Sequence, residues 1–203
     1  MTISVDQFPK VSLLDYAAAR PEIRSGDILL CSGSSLFSTL IQKTTQSIWS
    51  HVAFVMRLDA INRIMVLESV ESIGVRTVPL SSYVRNYNAT GKGYPGKLLI
   101  ARHSQFHAAN IENISQTAVD LLGYPYNNKD ILRIAARIGM KSFGFENDDP
   151  MIQPEHAFIC SEYAYDCYHS VGISIDYDTA GFVAPADFAK TPEIDAVFSL
   201  ETA

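Results

Sequence analysis

Residues 51–58 (HVAFVMRL) and 64–70 (IMVLESV) decide the fold. Both are rich in β-branched and aromatic residues, and Asp59-Ala60-Ile61-Asn62 stands between them. That pattern predicts an antiparallel hairpin. A two-residue loop puts Glu68 opposite His51, and a four-residue loop moves it two places along the strand. Side chains alternate faces with period two, so either register leaves His51 and Glu68 on one face. A carboxylate beside an imidazole fixes its tautomer and supports the imidazolium form, which is the third role in a catalytic triad.

Outward from the hairpin, Asp27 to Cys31 (DILLC), Val75 to Val78 and Leu98 to His103 are further strand candidates. Leu13, Leu14, Ala17 and Ala18 at helical spacing before Pro21 predict a short leading helix over about 11–20. Helical signal also lies around Leu36 to Ile41, over about 104–122 up to Gly123, and over 130–138. Residues 139–155, with Gly144, acidic residues and two prolines, read as an irregular loop over the site. The strands and helices together indicate an α+β domain.

Residues 160–171 (CSEYAYDCYHSV) form a helix stopped by Gly172 and begun at Cys160. A cysteine at a helix N-terminus faces unsatisfied N–H groups and the positive end of the macrodipole, which favour a thiolate nucleophile. Cys31 ends an apolar strand and Cys167 lies in mid-helix, so both read as small buried hydrophobes. Among five histidines, His51 alone opens a strand in the predicted hairpin beside a carboxylate. His103 and His107 lack the glutamate of a zinc-protease helix, and His156 and His169 flank the cysteine helix.

The chain has 203 residues, 47% of them hydrophobic, enough for one continuous core and one domain over 1–203. A formal charge of −6 argues against a nucleic-acid partner. No apolar run approaches the ~18 residues of a transmembrane segment. Three cysteines, without the dense pairing of a secreted scaffold, suggest a soluble protein in a reducing, cytoplasmic setting. Residues 91–97 (GKGYPGK) imitate a phosphate loop, but Leu98 replaces its Ser or Thr and a strand follows where a helix is required. His156, Cys160, Cys167 and His169 make no zinc site, because on one helix they point in different directions and no C-x-x-C pair is present. No metal and no cofactor are expected.

Gly26-Asp27-Ile28, Ser50-His51-Val52, Leu67-Glu68, Gly74-Val75 with Pro79-Leu80, Gly123-Tyr124-Pro125-Tyr126 and Cys160-Ser161-Glu162 occur in that order. Together they resemble the circularly permuted branch of the NlpC group of papain-like amidases, the YiiX-like proteins. The resemblance spans about residues 24–172. In ordinary papain-like enzymes the cysteine helix precedes the histidine strand, and here His51 comes first. It implies a permuted papain-like domain whose cysteine helix packs on an antiparallel, partly barrel-like sheet. It further implies Cys160 as nucleophile, His51 as base and Glu68 as the orienting residue, with Tyr126, Ser50 and Ser161 around the substrate. Asn127 stands where the family commonly has an acidic residue. The expected reaction is amide hydrolysis through a thioester, on a small peptide-like or acyl substrate. A lipid acyl hydrolase or acyltransferase with the same triad, and a non-catalytic binding module on the same fold, are the alternatives.

Overall fold

A computed structural model of the chain describes residues 2–127, 158–177 and 182–203. Among the described residues seven strands form one open sheet in the order β1-β7-β6-β2-β3-β4-β5. They are β1 (Leu13–Leu14), β2 (Asp27–Gly33), β3 (His51–Leu58), β4 (Arg63–Val70), β5 (Gly74–Pro79), β6 (Gly96–His103) and β7 (Ile194–Leu200). All neighbours are antiparallel except β1 and β7. The expected α+β fold with a largely antiparallel sheet is thus observed, and the sheet is an open one. The helices among the described residues are α1 (Tyr16–Ala19), α2 (Leu36–Thr45), α3 (Leu80–Arg85), α4 (Ile111–Asp120), α5 (Cys160–His169) and α6 (Pro185–Lys190).

The leading helix expected over 11–20 shrinks to Tyr16–Ala19. Asp15 caps it by accepting from the N–H groups of Ala17 and Ala18. The residues before it do other work: Ser12 and Leu14 carbonyls accept from Ser199 and Glu201, so this stretch becomes an edge strand. Its apolar pattern fits either state, and pairing with a distant strand decides between them. The helix expected over 130–138 and the loop expected over 139–155 lie outside the described residues.

The sheet separates two cores. Val52, Phe54 and Leu67 face one side, where Tyr163, Ala164, Cys167 and Tyr168 of α5 pack with Ile114 and Ala118 of α4. Ala53, Val55 and Val66 face the other, against Leu80, Tyr83 and Val84 of α3 and Tyr94. Strand alternation alone produces this division. Between β2 and β6, Asp27 lies directly opposite Arg102, whose Nε and Nη2 donate to its carboxylate at 2.6 and 2.9 Å. Next to it the Gly26 carbonyl accepts from the Tyr168 hydroxyl at 2.6 Å, which ties α5 to the sheet.

Candidate active site

The β3–β4 hairpin turns through Asp59–Ile61 and Asn62, and Leu58 pairs with Arg63. This is the four-residue register, so Glu68 lies diagonally from His51 on the same face. The geometry closes that diagonal: His51 Nε2 is 2.6 Å from Glu68 Oε2. Glu68 is completely buried. An ionised carboxylate survives there only when its oxygens are paired. Arg76, directly opposite on β5, brings Nε and Nη2 each to 2.9 Å from Oε1. The buried Tyr83 hydroxyl on α3 donates to Oε2 in a short hydrogen bond. Arg76 is held in turn by Asn88, whose Oδ1 accepts from Nη2 at 3.1 Å.

Electrostatics follow from these contacts. Burial alone raises the Glu68 pKa, but the hydrogen bond and charge of His51, then Arg76 and Tyr83, reverse this and hold it below the usual carboxylate value. Burial lowers the His51 pKa, and the charge and hydrogen bond of Cys160, with those of Glu68, outweigh it and raise the ring to about 10. Tyr83 is pushed well above an ordinary phenol by burial and by Glu68, so it remains a donor.

Cys160 is brought to this network by the backbone ahead of it. Ser69, next to Glu68 but on the opposite face, donates to the Phe158 carbonyl at 2.6 Å. Phe158 N–H donates to the Pro125 carbonyl, and Asn127 N–H donates back to Phe158. The strand-like segment holding Tyr126 and the approach to α5 are therefore laced together and to β4. Gly74 makes this possible: its φ of +91° is left-handed, and a Cβ there would lie 2.1 Å from the Tyr124 carbonyl oxygen. Two motifs far apart in sequence meet at that point. Glu162 closes the first turn of α5 by accepting the Ile159 N–H at 3.0 Å, as a capping glutamate does.

At the head of α5, Cys160 lines the same cleft as the His51 ring and is near enough to raise its pKa by charge and hydrogen bonding. Nε2 is occupied by Glu68, which leaves Nδ1 on the thiol side. Cys160, His51, Glu68 and Tyr126, all singled out from sequence, are thus assembled in one place. Ser50 also borders the site, but its hydroxyl accepts from Gly33 N–H and donates to the Cys31 carbonyl, bracing the turn into α2. Ser161 is fully buried, and its hydroxyl donates to the Val183 carbonyl at 2.6 Å. Arg76, Tyr83 and Ser69 were not singled out. Hairpin parity applied to β4 and β5 finds Arg76, whereas Tyr83 has no comparable local signal. His103 is buried among Tyr168 and its neighbours, and Cys31 and Cys167 are fully buried.

Two hollows meet at Cys160 and Tyr126. One is a cleft of about 300 Å³ that includes His51 and is bordered by Ser34, Ser38, Glu71, Arg76, Asn88 and Tyr94. The other holds about 50 Å³ and is bordered by Leu40, Ile41, Thr44, Phe182, Val183 and Pro185. Helix α2 contributes to both, with Ser38 on one side and Leu40, Ile41 and Thr44 on the other.

Among the described residues no helix is long and apolar enough to cross a membrane. The fold is similar to the crystal structure of the metalloprotein YiiX from Escherichia coli O157:H7, with a TM-score of 0.60 at 20% identity, covering 86% of this chain and 96% of that one. At that identity the likeness is one of fold. No curated protein matches the chain. Residues 22–198, spanning β2 through most of β7, match a family described as permuted papain-like amidase enzymes, YaeF/YiiX, C92 family. With the match extending over most of its length, the chain belongs to the permuted papain-like amidases of the YaeF/YiiX, C92 family.

Proposed function

We propose that this protein is a cysteine hydrolase that cleaves an amide through a thioester, with Cys160 as nucleophile, His51 as general base and acid, and Glu68 as the residue that orients His51. Membership of an amidase family supports hydrolysis in general. The observation that carries the finer reading is the continuous line from Cys160 through His51 to a buried, triply partnered Glu68.

The proton of Cys160 is held on His51 before the first bond forms, and Sγ then attacks the carbonyl carbon. As the C–N bond breaks, the imidazolium returns that proton to the leaving nitrogen. Water then gives a proton to His51 and its oxygen attacks the thioester. The C–S bond breaks, the acid is released and the proton goes back to sulfur. The oxyanion is held by the Cys160 N–H at the head of α5. Glu68 keeps Nε2 protonated and Nδ1 facing sulfur, and Arg76 and Tyr83 keep Glu68 in place.

The described residues hold no group of three or more His, Cys, Asp or Glu able to bind a metal ion. His51 Nε2 and both Glu68 oxygens are already committed within the network. The apolar hollow beside Cys160 supports a second reading, acyl ester hydrolysis or transfer to another acceptor by the same groups. A cytoplasmic setting, suggested by the cysteine pattern, belongs to the same proposal. Mass spectrometry of the chain incubated with mixed peptide and acyl substrates tests the mechanism. A thioester adduct on Cys160, lost together with turnover in Cys160→Ala, is expected. Turnover unchanged in that variant would sink it.

A further inference from the structure

The two hollows do not stand in equivalent positions relative to the proton donor. His51 lines the large cleft and does not line the small pocket, whereas Cys160 and Tyr126 line both. In acyl transfer the carbonyl carbon sits on sulfur, and the leaving group must sit where the imidazolium can protonate it. The leaving group therefore belongs in the cleft with His51, and the acyl substituent belongs on the other side of Cys160.

The chemistry of the walls differs in the same sense. The pocket side carries Leu40, Ile41, Phe182, Val183 and Pro185, with Thr44 and Thr45. About 50 Å³ has room for roughly three to five heavy atoms, since one water needs ~10–15 Å³. A long hydrocarbon chain fills that volume with its first few carbons and must carry the rest past the pocket's mouth. The cleft is several times larger and carries hydroxyls of Ser34, Ser35, Ser38 and Ser72, the Asn88 side chain and the Glu71 carboxylate. Phe37, Val70, Ile73 and Pro95 also border it, so the wall is mixed; it offers hydrogen-bond partners to a polar group that the almost wholly apolar pocket lacks.

We infer that the substrate joins a short, apolar acyl group, seated between α2 and the Phe182–Pro185 segment, to a polar amine, seated in the serine-rich cleft beside His51. This rests on the acyl-transfer reading above and names its substrate class. Ile41 and Thr44 set the length of the acyl group, acting as specificity residues away from the reacting atoms.

p-Nitrophenyl esters of acetate, butyrate, hexanoate and decanoate test the acyl side. Cys160 acylation is followed by intact mass, with each rate divided by that of a free thiol in solution. The corrected rate is expected to be greatest between acetyl and butyryl and to fall at least tenfold by decanoyl. Ile41→Ala, or Thr44→Ala if the first variant does not fold, shifts the optimum to a longer chain. The butyryl enzyme is then offered serinamide or pentylamine, and transfer to serinamide is expected to be at least tenfold faster. Acylation that is flat or rising with chain length, an optimum unmoved in both variants, or preferred transfer to pentylamine overturns this inference while leaving the nucleophile intact. Absence of acylation by every ester overturns both the mechanism and the inference.

Discussion

Two carboxylates are buried in the same sheet, Asp27 on β2 and Glu68 on β4, and each faces an arginine directly opposite on the next antiparallel strand. Their surroundings push them in opposite directions. Burial raises the Asp27 pKa in spite of Arg102 and the Arg24 N–H, whereas the partners of Glu68 outweigh burial and lower it. The difference lies in the company each keeps. Asp27 has the Arg102 guanidinium in contact, and from Arg24 a backbone N–H and a weaker charge. Glu68 has Arg76, the Tyr83 hydroxyl and an imidazole that can take up a proton. The same strand-to-strand construction serves as a tie in one place and, in our proposal, as the support of a base in the other. What separates them is a titratable partner at the edge of an open cleft.

This contrast is broken most directly by removing the imidazole. His51→Ala should reduce kcat/KM by at least about 10³-fold, in line with loss of a triad member, while urea unfolding stays cooperative. Glu68→Gln should cost roughly 10²–10⁴-fold in kcat, because the amide supplies the wrong hydrogen-bonding partner for Nε2. The pH profile gives a sharper reading of the same variant. In the wild type His51 carries its proton up to about 10, so the alkaline limb should fall there. Without the Glu68 charge that limb should move to lower pH.

Asp27→Asn should do the opposite. It should lower the unfolding free energy by about 3 kcal/mol, the lower end for breaking a buried pair, since Arg102 keeps 25% of its side chain in solvent. Turnover below the melting range should stay within about twofold, with the alkaline limb in place. A large shift of that limb would show that Asp27 also serves the chemistry.

Acid unfolding separates the two carboxylates by sign. The folded pKa of Glu68 lies below its unfolded value of 4.5, so its stabilisation is present above 4.5 and is lost as pH falls through the folded value. The folded pKa of Asp27 lies above 3.8, so the folded chain takes up that proton first, and stability gains from it as pH falls toward 3.8. Urea titrations between neutral pH and the acid range should show a shallower acid decline in Glu68→Gln and a steeper one in Asp27→Asn. His51 contributes on the other side: its stabilisation is complete below 6.5 and is lost as pH rises through about 10. The smallest effect expected is that of Tyr83→Phe. Loss of one hydrogen bond to a charged group costs ~1.5–3 kcal/mol of stability, and less than a tenfold drop in kcat should follow while His51 and Arg76 still hold Glu68.

Much of this site was legible because it depends on short-range geometry. The period of two along β3 and β4 places His51 and Glu68 on one face whichever even loop joins them, and the observed diagonal pairing is one of the two registers that parity allows. The head of α5 is also local: Glu162 caps the turn that begins at Cys160. Arg76 lay within reach of the same parity, one hairpin further on.

Other features had no local cause. Val11 to Ala18 has an apolar pattern compatible with helix, and only the distant strand Ile194–Leu200 turns Leu13 and Leu14 into a sheet edge. Tyr83 reaches Glu68 because α3 folds back over the second core. Ser69 reaches the Phe158 carbonyl across 89 positions of chain, and so sets where Cys160 sits relative to His51.

The sequence by itself therefore determined the α+β class, a cysteine at a helix head and the placing of histidine and glutamate on one face, since each follows from periodicity or capping within a few residues. Only the tertiary structure decided how sulfur meets imidazole, what keeps Glu68 charged, and that a small apolar pocket and a larger cleft with a more polar wall meet at Cys160. Those depend on packing between segments far apart in the chain, where burial sets the cost of a charge and the shape of a cavity.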